Sequence, residues 1–232
     1  MFSIFIHTHS SYNDALVMCI GQLDKYMPNV KRYVAIEKKT KTIEKENVIL
    51  YNEGDIYTQR LESILPQIEG DTVLYLHEDM ILYDRPDLDE LRRCDQYVLN
   101  DDVMMIKLIG TSGVGSGSEF LPQIRVTPSP DKFSVQPTIW KKEKLQELAS
   151  GERYNIWQFE TLTQGKFSSL GEGYTYFQGN EKLRGRNHYD SHIFPYMATG
   201  IVQGKWNNLE YSSELKSLFD EYNINSDRGM VV

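Results

Sequence analysis

Residues 72–84 read TVLYLHEDMILYD, and this stretch decides how the rest of the chain is interpreted. Its first half is a short run of apolar and aromatic side chains, which predicts a strand that is buried on both faces. Three ionisable residues follow at once: His77, Glu78 and Asp79. Ionisable groups at the end of a buried strand are costly unless water, a partner or a metal ion compensates them. Spacing alone leaves two hypotheses open, a metal site and a solvated strand exit.

The surrounding chain alternates between strand and helix patterns. Short apolar runs predict strands over 2–6, 33–36, 48–51 and 72–76. Apolar residues at helical spacing predict helices over 11–27 and 61–68. This order is typical of an α/β sheet with crossover helices, in which ligands lie outside the carboxyl ends of the strands. We therefore expect residues 8–10 and 77–79 to share one crevice.

The second half of the chain carries weaker patterns. They predict a strand over 133–138, helices over 141–149 and 156–162, and a small amphipathic helix near 209–219. Residues 110–117, GTSGVGSG, predict a loop, with a mobile lid and a plain connector as equal alternatives. The loop lacks the lysine of a G-x-x-x-x-G-K-[ST] motif and does not match G-x-G-x-x-G, so it is not interpreted as a phosphate cradle.

Composition narrows the class of protein. Of 232 residues, 40% are hydrophobic and 25% charged, as in ordinary globular domains. The net charge of -8 argues against a nucleic-acid partner, which needs a basic face. Cys19 and Cys94 form no C-x-x-C pair, so neither a disulfide framework nor a thiolate zinc site is expected. The opening apolar run is broken at His7, and no stretch is long enough to span a bilayer, so we expect a soluble, cytoplasmic protein without a signal peptide or transmembrane segment.

Residues 72–84 resemble the metal-binding segment of glycosyltransferases with the GT-A fold, in which a hydrophobic strand ends in a D-x-D-type motif. His77 occupies the first acidic position of that motif. The resemblance implies a GT-A-like (Rossmann-like) α/β fold with a mixed, mostly parallel central sheet flanked by helices. It also implies a Mn²⁺ or Mg²⁺ ion on Asp79, with His77 and Glu78 as further candidates, since oxygen ligands suit these ions.

Residues 55–61, DIYTQRL, resemble the helix start that precedes the metal strand in small bacterial and viral transferases of this type. The resemblance implies that Arg60 faces the sugar or the diphosphate. By residue type alone, Arg60 is as readily a surface arginine on a solvated helix face. At the end of the first strand, the resemblance implies that Thr8 contacts the uracil or the ribose.

Residues 194–206, FPYMATGIVQGKW, resemble the closing segment of these enzymes, near the donor phosphates. This implies that Lys205 neutralises charge on the leaving group. A late histidine completes the metal shell in many relatives, and His188 and His192 are the candidates here, with His192 preferred. Either histidine is equally readily a loop residue without a ligand.

Residues 134–140, SVQPTIW, and 155–160, NIWQFE, resemble the acceptor half of the same enzymes. There an acidic residue at a helix start acts as base, which implies that role for Glu160. Its apolar neighbours would raise a carboxyl pKa, although a plain helix glutamate is the alternative. The substrate-binding candidates are Gln136, Trp140 and Trp157. Buried aromatic residues more often belong to the core than to a sugar site.

The resemblance as a whole implies metal-dependent transfer of a sugar, with inversion, from a nucleotide-sugar to a hydroxyl of a glycan or small-molecule acceptor. A UDP-sugar is the expected donor. The expected organisation is a single GT-A-like domain. It comprises a nucleotide-sugar-binding half over 1–100, an acceptor and catalytic half over 101–208, and a C-terminal helix and tail over 209–232.

Two other functions remain as alternatives. Residues 5–10, FIHTHS, resemble the H-x-H strand end of metal-dependent phosphoesterases of the PHP and amidohydrolase kind, in which His7 and His9 would hold the metal. Such sites need more histidines and carboxylates at later strand ends than this chain supplies. The third hypothesis is a non-catalytic nucleotide- or carbohydrate-binding module, because the acidic motif is altered.

Overall fold

The computed structural model describes residues 1–99, 103–110, 126–128, 133–177, 181–185 and 188–231, with backbone alone at 126–128. The strands are β1 (Ser3–His7), β2 (Arg32–Ile36), β3 (Asn47–Leu50), β4 (Thr72–His77), β5 (Val103–Lys107), β6 (Val126–Pro128), β7 (Thr138–Lys141), β8 (Glu172–Tyr176), β9 (Leu183–Arg184), β10 (His188–Tyr189), β11 (Ile201–Val202) and β12 (Lys205–Trp206). The helices are α1 (Asn13–Tyr26), α2 (Tyr57–Ile64), α3 (Leu88–Val98), α4 (Lys142–Ala149), α5 (Ile156–Leu162), α6 (Gln164–Ser169) and α7 (Asn208–Tyr222).

The first eight strands form one mixed sheet in the order β3-β2-β1-β4-β7-β5-β8-β6. β1 lies between β2 and β4 and is parallel to both. β7 is antiparallel to β4 and to β5, so the sheet continues across the boundary expected at residue 100. The predicted α/β sheet with crossover helices is therefore confirmed.

Strand register brings the predicted crevice together. His7 at the end of β1 lies directly beside His77 at the end of β4. Two residues earlier on each strand, the rings of Phe5 and Tyr75 stack at a centroid distance of 5.0 Å. Residues in register on parallel strands point to the same face, so each pair forms one layer against α2. The carboxyl ends of β1 and β4 thus form one floor.

The strand predicted over 133–138 is wrong in position. Pro137 has no N–H to give to a ladder, and the strand that forms, β7, begins at the next residue. Phe133 is instead held by the side chain of Gln164, which accepts from its N–H at 3.1 Å and donates to its carbonyl at 2.9 Å. The apolar side chains before Pro137 therefore fill the core from an irregular segment.

The other predicted elements form within a few residues of the expected bounds. α3, β5 and β8 were not predicted. Of the expected loop over 110–117, only Gly110 lies within the described residues. Cys19 and Cys94 are both buried free thiols. Among the described residues, we find no helix with the length and apolar character that crossing a membrane requires.

Candidate active site

Two adjoining cavities open at the carboxyl ends of β1 and β4. The first has a volume of about 530 Å³ and is lined mainly by the ends of β1, β3 and β4 and by α2. The second has a volume of about 560 Å³ and lies between β4, α5 and the segment before β11. The residues that line both cavities are His77, Asp79, Ile156, Trp157 and Ile201. Ligands in the two cavities could therefore meet at the end of β4.

Glu78 and Asp79 form a poorly solvated acidic pair at the end of β4. Glu78 is only 7% exposed. Burial raises the pKa of both carboxyl groups, and the charge of Asp79 raises that of Glu78 further. The Thr8 hydroxyl and the Arg228 guanidinium lower the pKa of Glu78, but these effects are smaller. Ionising both carboxyl groups is therefore costly, and a nearby cation would reduce that cost.

The segment before β11 closes tightly on Asp79. The N–H of Ile201 donates to Oδ2 of Asp79 at 3.2 Å. A Cβ on Gly200 would lie 2.5 Å from the Asp79 carbonyl oxygen, so this approach requires glycine. Each carboxylate oxygen has two acceptor positions, which leaves Asp79 free capacity for a ligand.

One wall of the first cavity is a stack of three planar groups. The Arg60 guanidinium lies 4.6 Å from the centroid of the Tyr51 ring. The Tyr51 ring in turn stacks on the His7 ring at 5.3 Å and 7°. The Tyr51 hydroxyl donates to the Thr8 carbonyl at 2.8 Å, which fixes the stack to the end of β1. Flat aromatic and guanidinium surfaces of this kind suit the face of a nucleobase.

His77 is fixed by two tyrosines. Its Nε2 lies 3.0 Å from the hydroxyl of Tyr57 and 3.0 Å from that of Tyr75. The two hydroxyls also hydrogen-bond to each other. Burial lowers the pKa of His77 to about 4, so the imidazole is neutral at physiological pH.

The second cavity contains Glu160 on α5. Oε1 of Glu160 accepts from the N–H of Val135 at 2.6 Å, which fixes the carboxylate at the cavity wall. Burial raises its pKa, while the Val135 hydrogen bond and the charge of Lys107 lower it to a smaller extent. A carboxylate with a raised pKa is a stronger base, which suits proton abstraction.

Two of the predicted substrate residues line the second cavity. Trp157 lies on α5, is 74% exposed and borders both cavities. An exposed indole of this kind is free to cover a ligand face. Gln136 is held in place by Tyr196, whose hydroxyl donates to it at 2.7 Å, and it donates to the Ala198 carbonyl at 3.0 Å.

Three predicted site residues lie elsewhere. Trp140 is 1% exposed and packs on Phe133 and Phe167, so it belongs to the core and borders neither cavity. Lys205 is exposed on β12 outside both cavities, although the preceding residues 203–204 line the first. His192 is exposed and lines neither cavity, whereas His188, the other late histidine, lines the second.

The donor groups fit a Mg²⁺ or Mn²⁺ site only in part. Asp79 and Glu78 supply the carboxylate oxygens that these ions prefer. Within the described ranges, however, no three His, Cys, Asp or Glu side chains cluster closely enough to enclose a metal ion. Mg²⁺ commonly keeps several waters and uses one or two carboxylates together with substrate phosphates, and this pair meets that requirement.

The histidine-rich phosphoesterase site finds no support in the described part of the chain. The His7 ring packs on Tyr51 and Tyr57, and its Nε2 is buried without a hydrogen-bond partner. The His9 ring contacts two other side chains: Nδ1 lies 2.7 Å from the Ser11 hydroxyl, and Nε2 lies 3.3 Å from Oε1 of Glu53. Among the described residues, no group of three or more His, Cys, Asp or Glu side chains forms around them that could hold a metal ion.

Tyr51, Tyr57 and Tyr75 are site residues that sequence reasoning missed. Tyr51 and Tyr75 lie in apolar runs that were interpreted as strands, and Tyr57 lies in the stretch 55–61 that was interpreted as a helix start. A signal existed for Tyr75, since it stands two residues before His77 on the same strand face. Tyr57 reaches the site through α2, and no local pattern indicates this contact.

Comparison with solved structures supports the fold. A cytidylyltransferase from Leptospira borgpetersenii serovar Hardjo-bovis (strain JB197) superposes with a TM-score of 0.53 at 12% identity, covering 99% of this chain and 90% of that one. The chain thus shares the α/β fold of that structure. Weaker likenesses include S. aureus TarS 1–349, with TM-score 0.48, 14% identity and coverage of 97% and 66%. Another is the mannosyltransferase PcManGT from Pyrobaculum calidifontis in complex with GDP-Man and Mn²⁺, with TM-score 0.45, 13% identity and coverage of 74% and 56%. No protein-family model and no curated protein sequence matches the chain.

Proposed function

We propose that this protein transfers a sugar from a nucleotide-sugar, most simply a UDP-sugar, to a hydroxyl group of an acceptor. The observation that carries the proposal is the pair of adjoining cavities with Asp79 in the wall of both and Glu160 in the second. A group-transfer enzyme needs two substrates that meet at one point, and the end of β4 offers such a point.

The first cavity has the features of the donor site. The stack of Arg60, Tyr51 and His7 provides a flat, partly cationic wall for a base. Arg60 also brings a permanent positive charge to a cavity whose floor carries two carboxylates. Thr8 lies beside Glu78 and helps to fix the strand end on which the nucleotide would rest.

A divalent cation, Mn²⁺ or Mg²⁺, bound by Asp79 with support from Glu78 would stabilise the negative charge on the departing diphosphate. The same cation would relieve the repulsion within the acidic pair. Asp79 would thus contribute both to binding of the nucleotide and to departure of the diphosphate.

Glu160 is the proposed general base in the second cavity. It would take the proton from the attacking hydroxyl, while Trp157 covers one face of the acceptor and Gln136, which also lines this cavity, contributes polar contacts. Attack from the side opposite the departing diphosphate inverts the anomeric configuration. Because burial raises the pKa of Glu160, the rate should rise with pH through a pKa above the usual glutamate range.

The test is release of UDP from a panel of UDP-sugars with Mn²⁺ and simple glycoside acceptors. Glu160→Gln should lower the transfer rate by about 10²- to 10⁴-fold, the usual contribution of a general base, with UDP binding unchanged. Glu143→Gln, an exposed glutamate of α4, is the matched control. An unchanged rate in Glu160→Gln removes Glu160 as the base.

Parallel assays with other substrates distinguish the alternative activities by their products. Pyrophosphate released from a nucleoside triphosphate and a sugar phosphate would replace the proposal with nucleotidyl transfer. Hydrolysis of a phosphomonoester would favour the phosphoesterase hypothesis, and UDP binding without any turnover would favour a binding module.

A further inference from the structure

Tyr57, Tyr75 and His77 form a buried triangle of hydrogen bonds in which the protons can be counted. The three polar atoms are two hydroxyl oxygens and one imidazole nitrogen, Nε2. Neither hydroxyl has another hydrogen-bond partner among the described residues. Both tyrosine side chains are buried, with exposures of 7% and 1%, so a hydroxyl proton without an acceptor is costly.

The count decides which tautomer His77 adopts. If Nε2 has no proton, one hydroxyl donates to Nε2 and the other donates to the first hydroxyl oxygen, so both protons are used. If Nε2 carries a proton, it donates to one hydroxyl, and that hydroxyl can donate to the other. The second hydroxyl then has no acceptor within the triangle, because the contact between the two oxygens holds only one proton and Nε2 has no lone pair left. An unmatched buried donor costs about 1–3 kcal/mol. The proton of the neutral ring therefore resides on Nδ1.

Nδ1 is the ring nitrogen of His77 that remains for a ligand. It makes no hydrogen bond to the described residues, and it is not among the buried polar atoms that lack a partner. His77 lines both cavities, so Nδ1–H is available where they adjoin. A neutral imidazole that donates a hydrogen bond is a known electrophilic device in enzymes.

We infer that His77 donates a hydrogen bond from Nδ1 to a phosphate oxygen of the bound nucleotide, and that it is not a metal ligand. Both nitrogens are already committed, since Nε2 accepts from a tyrosine and Nδ1 carries the proton. A metal ion would need a free lone pair on one of them. The chemical class of the ligand rests on the proposed function, whereas the tautomer does not.

This assignment changes the chemistry expected of the altered acidic motif. Where the related motif has a carboxylate, this chain has a neutral donor. A donor adds no further negative charge beside Glu78 and Asp79, and it favours an anionic ligand directly. Tyr57 and Tyr75 are then positioning residues, since they act only through His77.

The tautomer can be measured on the full chain without any turnover. Protein labelled with ¹⁵N-histidine is studied by ¹H–¹⁵N NMR at pH 7.5 in EDTA, and His77→Gln identifies the His77 signals. The expected result is a single Nδ1–H tautomer. The double variant Tyr57→Phe/Tyr75→Phe should allow an Nε2–H population to appear. Tyr97→Phe on α3 is the control and should leave the tautomer unchanged.

Ligand binding is tested with two defined probes. UDP in EDTA should shift the His77 Nδ1–H resonance, and His77→Phe should weaken UDP binding by about 10-fold or more, as loss of a hydrogen bond to a charged group does. His77→Gln, which keeps an N–H, should recover part of that loss. Mg²⁺ alone should leave the Nδ1–H signal in place.

Three results would overturn the inference: an Nε2–H tautomer in the free wild-type protein, loss of the ring N–H signal on addition of Mg²⁺, or no change at His77 on addition of UDP. Failure of the proposed function looks different. A protein that shows the expected shift with UDP but transfers no sugar refutes the reaction and leaves the assignment of His77 intact.

Discussion

Asp79→Asn should stabilise the metal-free protein while it abolishes metal-dependent turnover. The asparagine is nearly isosteric, and its amide oxygen can still accept from the N–H of Ile201. Burial raises the pKa of both Glu78 and Asp79, and the charge of Asp79 raises that of Glu78 further, so the substitution removes one buried charge and its repulsion of the other. The carboxylate that would hold the cation is lost in the same step.

The size of the effect follows from linkage. A carboxyl group whose pKa is higher in the folded protein than in the unfolded chain binds protons on folding, so stability falls as pH rises through the folded-state pKa. Burial raises the pKa of Asp79 to about 6, and a rise of roughly two pH units corresponds to about 2.7 kcal/mol of stability lost at high pH. For a domain of this size, about 2 kcal/mol corresponds to a Tm change of roughly 4 to 8 °C.

Thermal unfolding of wild type and Asp79→Asn in EDTA, at pH 8 and at pH 5, measures this effect. The variant should be the more stable at pH 8, and the gap should narrow at pH 5, where the wild-type carboxyl groups take up protons. Adding Mn²⁺ should stabilise wild type alone. Asp71→Asn, an exposed carboxylate just before β4, serves as control. A variant that is no more stable than wild type at pH 8, or a gap that does not change with pH, refutes the reasoning.

Two further predictions address the second cavity and the closing segment. Trp157→Ala should raise the KM for the acceptor several-fold with little change in Tm, because this indole is 74% exposed. Leu162→Ala on the same helix, 59% exposed, is the control and should change neither quantity; an unchanged KM in Trp157→Ala would show that Trp157 does not bind the acceptor. Gly200→Ala should lower the free energy of unfolding in urea by about 1–3 kcal/mol, because the new methyl group would lie 2.5 Å from the Asp79 carbonyl oxygen. Gly165→Ala in α6, where a new methyl group meets no atom within 4 Å, should be neutral or stabilising, and equal stability of the two variants would contradict the close approach at Gly200.

The first half of the fold could be predicted because its strands are apolar runs with polar ends. β1 and β4 are buried on both faces, and this gives a signal that depends on local sequence alone. The second half depends on contacts that sequence patterns do not encode. The segment before Pro137 has the composition of a strand, but its backbone is held by Gln164, which lies far along the chain.

The candidate site likewise contains residues that local sequence could predict and residues that it could not. His77, Glu78 and Asp79 were visible because charged groups after a buried strand are unusual in themselves. Trp157 and Trp140 could not be told apart, since exposure is decided by which helix or strand face meets the core. The tyrosines that fix His77 were hidden for a related reason. Their hydroxyls are single polar atoms on large apolar rings, and only the register of β4 against α2 brings them together.

The position of β7 has a consequence for how the chain reaches this structure. The middle of the sheet is filled by β7, a strand that follows β4 only after α3, β5 and β6. Closing so long a loop slows folding, and until β7 arrives the backbone of β4 is an open edge. An open edge can pair with a second unfolded copy as readily as with its own strand. A fragment that ends at residue 100 would keep that edge permanently exposed, so we expect it to aggregate, and the full chain should refold best at high dilution.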